Sequence, residues 1–391
     1  MKVELAKKLD VERCIIWGDA LRVLLNSNQI TQGDISKMLR EKGVFLDSSD
    51  RGQLVSLLSS TLLTPSEFER LISTSYSRET KPKTNTEELT LTSAAVDWRS
   101  EILKNLPEIL GAVQLNSGYS YLEEPSVTRC SDGSVEIVYG VRKEDASQEW
   151  IAQQLDYGAK ISIKQKSGTL KLEILKSHSA KETDRVNAIY TRAFARHLKA
   201  KGIVTEDRPK GVLFEDFSNE ERITFMLHFT GASEKSFSFQ QLIDVDIVRD
   251  QAAGLLPDGS SLSWMENKVK KLHVSGEKLH EIDFMRNKLL HKYCFLVRMN
   301  AVFHYQYGLE EGDSTVTLWF GGKAAHDVDY AHTEFTISVD RIGRASRNAD
   351  RLVRGKIEES LIKLKDSALE RIRADRSAAS ATAGQHEVEP A

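Results

Sequence analysis

The order of patterns between residues 127 and 376 constrains this chain more than any other feature. Short apolar runs of strand length recur there, each followed by further strand patterns and then by a long amphipathic stretch. The runs are "VEIVYG", "ITFMLHF" and "VFHYQYG", beginning at Val135, Ile223 and Val302. The strand patterns "LKLEIL", "VKKLHVS" and "EFTISV" then precede "TDRVNAIYTRAFARHL", "IDFMRNKLLHKYCFLV" and "ADRLVRGKIEESLIKL", which have helical periodicity. Asp184, Asp283 and Asp350 open these helices, 9, 9 and 11 residues after Leu175, Val274 and Val339. Negative charge in a first helical turn is favoured by the helix dipole. The order predicts an α+β fold built of strand-strand-strand-helix modules near 127–204, 212–297 and 298–376. It reads either as an internal triplication or as one α+β domain whose elements resemble one another by chance.

The first 76 residues have a different period. Leu5, Leu9, Cys14, Ile15, Ile16, Ala20, Val23 and Leu24 recur at helical spacing, so residues 1–76 are expected to be all-helical. "TPSEFERLI" marks a helix start: Thr64 caps, Pro65 suits the first helical position and Glu67 reaches back in a capping box. "STSYSRETKPKTNTEELTLT" is polar and rich in Thr and Ser, and predicts a flexible linker over 77–92. The α+β domain then covers 93–376, entered through a broken helix containing Pro107. Residues 377–391, small and polar, are expected to be a disordered tail.

With 391 residues and a formal net charge of −3, any polyanion partner must be met by a local concentration of charge. Cys14, Cys130 and Cys294 are far apart and lack metal-ligand spacing, which fits a reducing compartment. The N-terminus carries charge throughout, unlike a signal peptide, and no apolar run approaches a membrane span. A cytoplasmic location is expected.

Basic residues concentrate in two places. Residues 160–210 hold 13 Lys or Arg against 5 Asp or Glu, and residues 341–376 hold 11 against 6. In the first, alternation puts Lys160, Lys164 and Lys166 on one strand face. Arg185, Arg192, Arg196 and Lys199 share an arc of the following helix, beside the apolar arc of Val186, Ile189, Tyr190, Ala193, Phe194 and Leu198. In the second, Arg344, Arg347, Arg351 and Arg354 share an arc. These stripes suit either a solvated or subunit-contact face, where cations pair with acids and cover apolar surface, or a phosphate-binding face.

A helix, an extended turn and a second helix are written in "ITQGDISKMLREKGVFLDSSDRGQLVSLL", residues 30–58. Ile35, Met38 and Leu39 form the apolar face of the first helix and Gly43 ends it. Leu54, Val55, Leu57 and Leu58 form the face of the second, capped by Ser48, Ser49 or Asp50. This stretch resembles the SAP and helix-extended-loop-helix class of DNA-binding motifs, in its helix ending "MLREKG", its extended turn, and Arg51 placed three residues before Leu54. The resemblance implies DNA binding through Lys42, Ser48, Ser49 and Arg51, flanked by Lys37 and Arg40, with helix N–H groups available to a phosphate.

No catalytic constellation stands out. "LKLEILK" offers Lys171, Glu173 and Lys176 in the wrong order for a metal-dependent nuclease. His326, Asp327, Asp329 and His332 in "HDVDYAH" form an isolated group, and "GLLPDGSS" and "FGGKAA" lack phosphate-loop order. No cofactor or metal is implied. The expected function is non-enzymatic nucleic-acid binding, DNA rather than RNA. The alternative is an adaptor or scaffold subunit that recruits a catalytic protein partner, as in bacterial multi-gene systems such as phage defence. A nuclease with a site assembled from distant residues is the third.

Overall fold

A computed structural model of the protein describes residues 17–27, 30–46, 50–79, 81–111, 113–147, 153–166, 169–254, 269–321, 330–343 and 350–385. The architecture is α+β: N-terminal helices, then antiparallel strands with helices. The chain forms two compact units. One comprises Met1–Pro82 and Leu89–Pro209, the other Lys83–Glu88 and Lys210–Ala391.

Among the described residues, the N-terminal part of the first unit is a module of four helices, α1 (Asp19–Asn26), α2 (Gln32–Glu41), α3 (Arg51–Ser59) and α4 (Pro65–Glu79). Its core joins Leu21, Leu24, Leu25, Ile35, Leu39, Leu54, Leu58 and Phe68. Local chemistry sets each boundary. Thr31 and Asp34 form a reciprocal capping box on α2. Gly43, at φ 78°, follows α2 in the left-handed region that a side chain would resist. Asp50 caps α3 by accepting from the Gly52 and Gln53 amides. At α4, the Thr64 amide donates to Glu67 and the Glu67 amide to Thr64.

The expected linker over 77–92 is replaced by ordered structure. Helix α4 runs to Glu79 and strand β1 spans Lys83–Thr90. Polarity there does not mean exposure, because Thr84, Asn85 and Thr86 are all buried. Lys365 Nζ donates to Thr86 Oγ1 at 2.5 Å and Asn85 donates to Glu334 at 2.7 Å. Paired in this way, the Asn85 amide and the Thr86 hydroxyl are buried without the cost of an unmet hydrogen bond.

After β1 the first unit continues with α5 (Trp98–Gly111), β2 (Tyr119–Arg129), β3 (Val135–Glu144), β4 (Gln154–Gln165), β5 (Lys171–His178) and α6 (Lys181–Ala200). Helix α5 runs through Pro107. Strands β2 to β5 form an antiparallel meander, and the Leu91 amide bonds to the Leu170 carbonyl at the head of β5. The core places Ile137, Tyr139, Ile161, Ile163, Leu172 and Ile174 under Trp98 and Ile102 of α5 and Val186, Tyr190, Phe194 and Leu198 of α6.

The second unit follows the same order. Strand β6 (Lys210–Gly211) leads to Val212, which accepts from the Phe335 amide at the head of the last strand. Then come α7 (Asn219–His228), β7 (Ser233–Glu234), β8 (Phe237–Arg249), β9 (Lys271–Ser275), α8 (Asp283–Arg286), α9 (Lys288–His291), β10 (Cys294–Tyr307), β11 (Glu310–Phe320), β12 (Phe335–Ile342) and α10 (Asp350–Gln385). Strands β8, β10, β11 and β12 form the meander, with β9 and β7 paired to β8.

Each unit therefore contains a helix, a four-stranded meander and a second helix in that order. The element order does not give the three strand-strand-strand-helix modules of the triplication reading. Two segments account for the difference. "ITFMLHF" is the body of α7, started by the capping box of Ser218 and Glu221. "IDFMRNKLLHKYCFLV" is two helices of four residues followed by the head of β10. The short helices and β9 are an insertion between the first two meander strands. Asp184, Asp283 and Asp350 do each lie in a first helical turn. The expected tail also differs: α10 continues to Gln385. Among the described residues no helix is long and apolar enough to cross a membrane.

Candidate nucleic-acid interface

The basic residues singled out from the sequence divide by what their charges already touch. Arg51 begins α3, but its guanidinium turns back to α1. Its Nη2 lies 2.8 Å from the Leu25 carbonyl oxygen, 3.0 Å from that of Ser27 and 2.9 Å from that of Ile30. A cation here meets carbonyls at and just beyond the end of α1, and complements the negative end of the helix dipole. Lys42 is likewise engaged inside the module, 2.9 Å from the Leu62 carbonyl and 2.9 Å from Glu67. The lysine helps to hold the Glu67 carboxyl below its ordinary range, against the opposing effect of burial. Ser48 and Ser49 lie outside the described residues. Lys37 and Arg40 are exposed on α2, with no hydrogen-bond or ion-pair partner among the described residues.

The strand lysines are paired across the first sheet. Lys160 lies 2.6 Å from Glu136, and Lys164 and Lys166 lie 3.1 and 3.6 Å from the buried Glu173. Glu173 thereby serves as their counter-ion, and it is the same carboxylate tested in the sequence as part of a nuclease motif. On α10 the charges are mixed. Arg354 donates to the Val339 carbonyl and lies 3.9 Å from Asp350, and Lys363 pairs with Glu359 at 3.1 Å. Arg344 and Arg347 lie outside the described residues. Arg351 falls in the first turn of α10.

Helix α6 is different. Arg185, near its start, is tied to Glu182 at 2.6 Å and to the Gln114 carbonyl. Beyond it the chain has no carboxylate until Glu206. Arg192 and Arg196 are exposed, with no partner among the described residues. Lys199 is loosely placed 3.9 Å from Asp207, and Lys201 is 3.8 Å from Glu101. Lys104 of α5 and Lys181 at the start of α6 are also exposed. Counting basic residues over 160–210 included Lys181 and Lys201 without singling them out, and left out Lys104. The signal was the absence of acids from 185 to 205, together with the packing of α5 on α6.

The helix is held firmly against the sheet. Tyr139 donates to the Asn187 side chain at 2.8 Å and lies 3.0 Å from the Thr183 carbonyl, while Asn187 donates to the Ser177 carbonyl. The Tyr121 and Tyr190 hydroxyls meet at 3.0 Å. Burial raises the Tyr139 and Tyr190 phenols well above their ordinary range, so both stay protonated. His197 and Asn105 join α6 to α5 at 2.9 Å, and His197 also meets Glu101 at 3.1 Å. The outward cations thus sit on a rigid element, not on a loop.

The described residues contain no group of three His, Cys, Asp or Glu side chains placed to hold a metal ion. His332 lies 3.0 Å from Glu215. His326, Asp327 and Asp329 lie outside the described residues.

A family model described as the GAPS4b protein N-terminal domain matches residues 19–81, the span of α1 to α4. No curated protein matches the chain. Among solved structures, the di-domain ARO/CYC StfQ from the steffimycin biosynthetic pathway aligns at 10% identity over 75% of this chain and 99% of that one. Its TM-score is 0.17, which carries no argument about this fold.

Proposed function

We propose that the protein is a non-enzymatic nucleic-acid-binding protein whose partner is DNA, held by its phosphate backbone. One observation carries this reading: Arg192 and Arg196 stand exposed and unpaired among the described residues, on a helix without a carboxylate from 185 to 200. Surface cations usually sit among acids that neutralise them. A stripe without such acids keeps its field for a polyanion. Lys37 and Arg40 on α2 offer a second, smaller contact, in line with the SAP-like pattern of that stretch. Lys42 and Arg51 are left to the module's own structure.

The test is a salt titration of the full chain on labelled DNA. Binding should weaken steeply as salt rises, with log K linear in log salt. No binding at low salt would end the reading.

A second reading, an adaptor that docks a protein partner through the N-terminal module, is favoured by a separate observation. Trp17, Phe45 and Leu62 are 70%, 77% and 78% exposed. Three large apolar side chains are much for so small a module to leave in water. Retention of one partner by the wild type, and its loss in a Phe45→Ser, Leu62→Ser variant, would support it. The two readings are compatible.

A further inference from the structure

We infer that the outward face of α6 is a contact for duplex DNA that reads the backbone and not the bases; this rests on the nucleic-acid reading above. Arg192, Arg196 and Lys199 follow one another at steps of four and three residues, which puts them on one face of the helix. At about 1.5 Å rise per residue they span roughly 10 Å. Duplex DNA carries one negative charge per about 1.7 Å of axis, so a stripe of that length faces several phosphates.

Two absences on this face define the ligand. The first is of stacking groups. Trp98 of α5 and Tyr190 and Phe194 of α6, the aromatic residues of both helices, are 0 to 1% exposed. Single-strand binders rely on exposed aromatic rings under successive bases, and these helices offer none. The second is of exposed amide and hydroxyl groups, which pair with adenine and other base edges. Asn187 and Thr191 are buried and bonded inward, to the Ser177 and Ala188 carbonyls. The exposed positions from 192 to 201 are Arg192, Arg196, Lys199, Ala200 and Lys201. What remains is positive charge on a rigid rod, which suits a regular lattice of phosphates. B-form DNA presents that lattice around a groove wide enough for a helix, whereas the major groove of A-form RNA is deep and narrow.

The experiment measures the full chain against one blunt DNA duplex, a second duplex of scrambled sequence, the corresponding single strand and the RNA duplex, from 50 to 200 mM salt. Variants are R192A/R196A, R192K/R196K and, as a control on a mixed-charge helix, K363A. Thermal melting checks that each variant is folded. Each phosphate contact contributes about 0.9 to the salt slope. R192A/R196A should therefore reduce the slope by about 1.8, and lose about tenfold less affinity than wild type across that salt range. R192K/R196K and K363A should keep the wild-type slope, and both duplex DNAs should bind alike and more tightly than single strand or duplex RNA.

If wild type binds and folded R192A/R196A keeps its slope, the α6 assignment is overturned while nucleic-acid binding stands. Equal or tighter binding to single strand or duplex RNA overturns the choice of ligand. A clear preference between the two DNA sequences overturns backbone-only contact. No binding by wild type to any of the four removes the underlying reading itself.

Discussion

Replacing Arg51 by Ala separates a structural from a ligand-binding role for the residue that the SAP-like pattern places at the centre of a DNA contact. Its Nη2 meets the carbonyl oxygens of Leu25, Ser27 and Ile30 at 2.8 to 3.0 Å. One terminal nitrogen has two protons, so three acceptors share about two full hydrogen bonds. A net gain of about 1.5–3 kcal/mol per bond to a charged group, reduced because the site is half-buried, gives about 2–3 kcal/mol for the set. The chain has two units and need not unfold in one step, so a single melting temperature is a poor gauge. Amide exchange in α1 and α3 reads the local free energy instead. About 2–3 kcal/mol corresponds to a roughly 30- to 150-fold loss of protection there. Arg51→Lys keeps the charge but loses the planar fork, so its protection should fall as well, while any long-range attraction for DNA is retained. Protection unchanged in Arg51→Ala, with DNA affinity reduced, would refute the structural role and return Arg51 to the binding surface.

Three further outcomes follow from groups whose partners are known. Arg376 forks onto Glu221 at 2.6 and 2.8 Å and holds its carboxyl at about 2, below an ordinary value of 4.5. The stability from this pair is full above about pH 4.5 and is lost as pH falls toward 2, so Arg376→Ala should cost about 1 kcal/mol at neutral pH and flatten the acid limb of a stability–pH curve. Tyr139→Phe strands the Asn187 side-chain oxygen in the core, at about 1–3 kcal/mol, measurable by denaturant titration. Burial pushes the Cys294 thiol up to about 11, so at pH 8 an alkylating reagent should modify the half-buried Cys130 and spare Cys294 until the chain unfolds, as read by mass spectrometry of each cysteine peptide.

Local chemistry was legible in the sequence. The Thr64–Pro65–Glu67 start and the Gly43 stop appear as local patterns read them, and the structure selects Asp50 from the three caps offered for α3, because the partners lie within a few residues. The strands of "VEIVYG", "LKLEIL" and "EFTISV" and the helix α6 also follow from periodicity. Failures came where a distant partner decided the outcome. Strand β1 looked like a linker because the Asn85 amide and the Thr86 hydroxyl find their partners, Glu334 and Lys365, about 250 to 280 positions away. In "ITFMLHF" the apolar run suggested a strand, but the capping box just upstream starts a helix that carries through it. Arg51 looked like a phosphate ligand because its carbonyl partners, more than 20 residues upstream, leave no mark beside it in sequence.

Helix α10 offers a comparison for α6. Helices α6 and α10 occupy the same place in the order of their units, each following the last strand of a four-stranded meander. The fold therefore asks the same of both: an apolar inner face and a soluble outer one. Helix α10 meets the second demand with mixed charge, such as the Glu359–Lys363 pair and Arg354 beside Asp350. Helix α6 meets it beyond Arg185 with cations alone. Since the scaffold accepts mixed charge at this position, the missing acids of α6 are no requirement of folding or solubility. They also carry a cost, because uncompensated like charges repel along a helix face. A feature that the fold does not need, and that slightly opposes it, is what the proposed DNA contact would use.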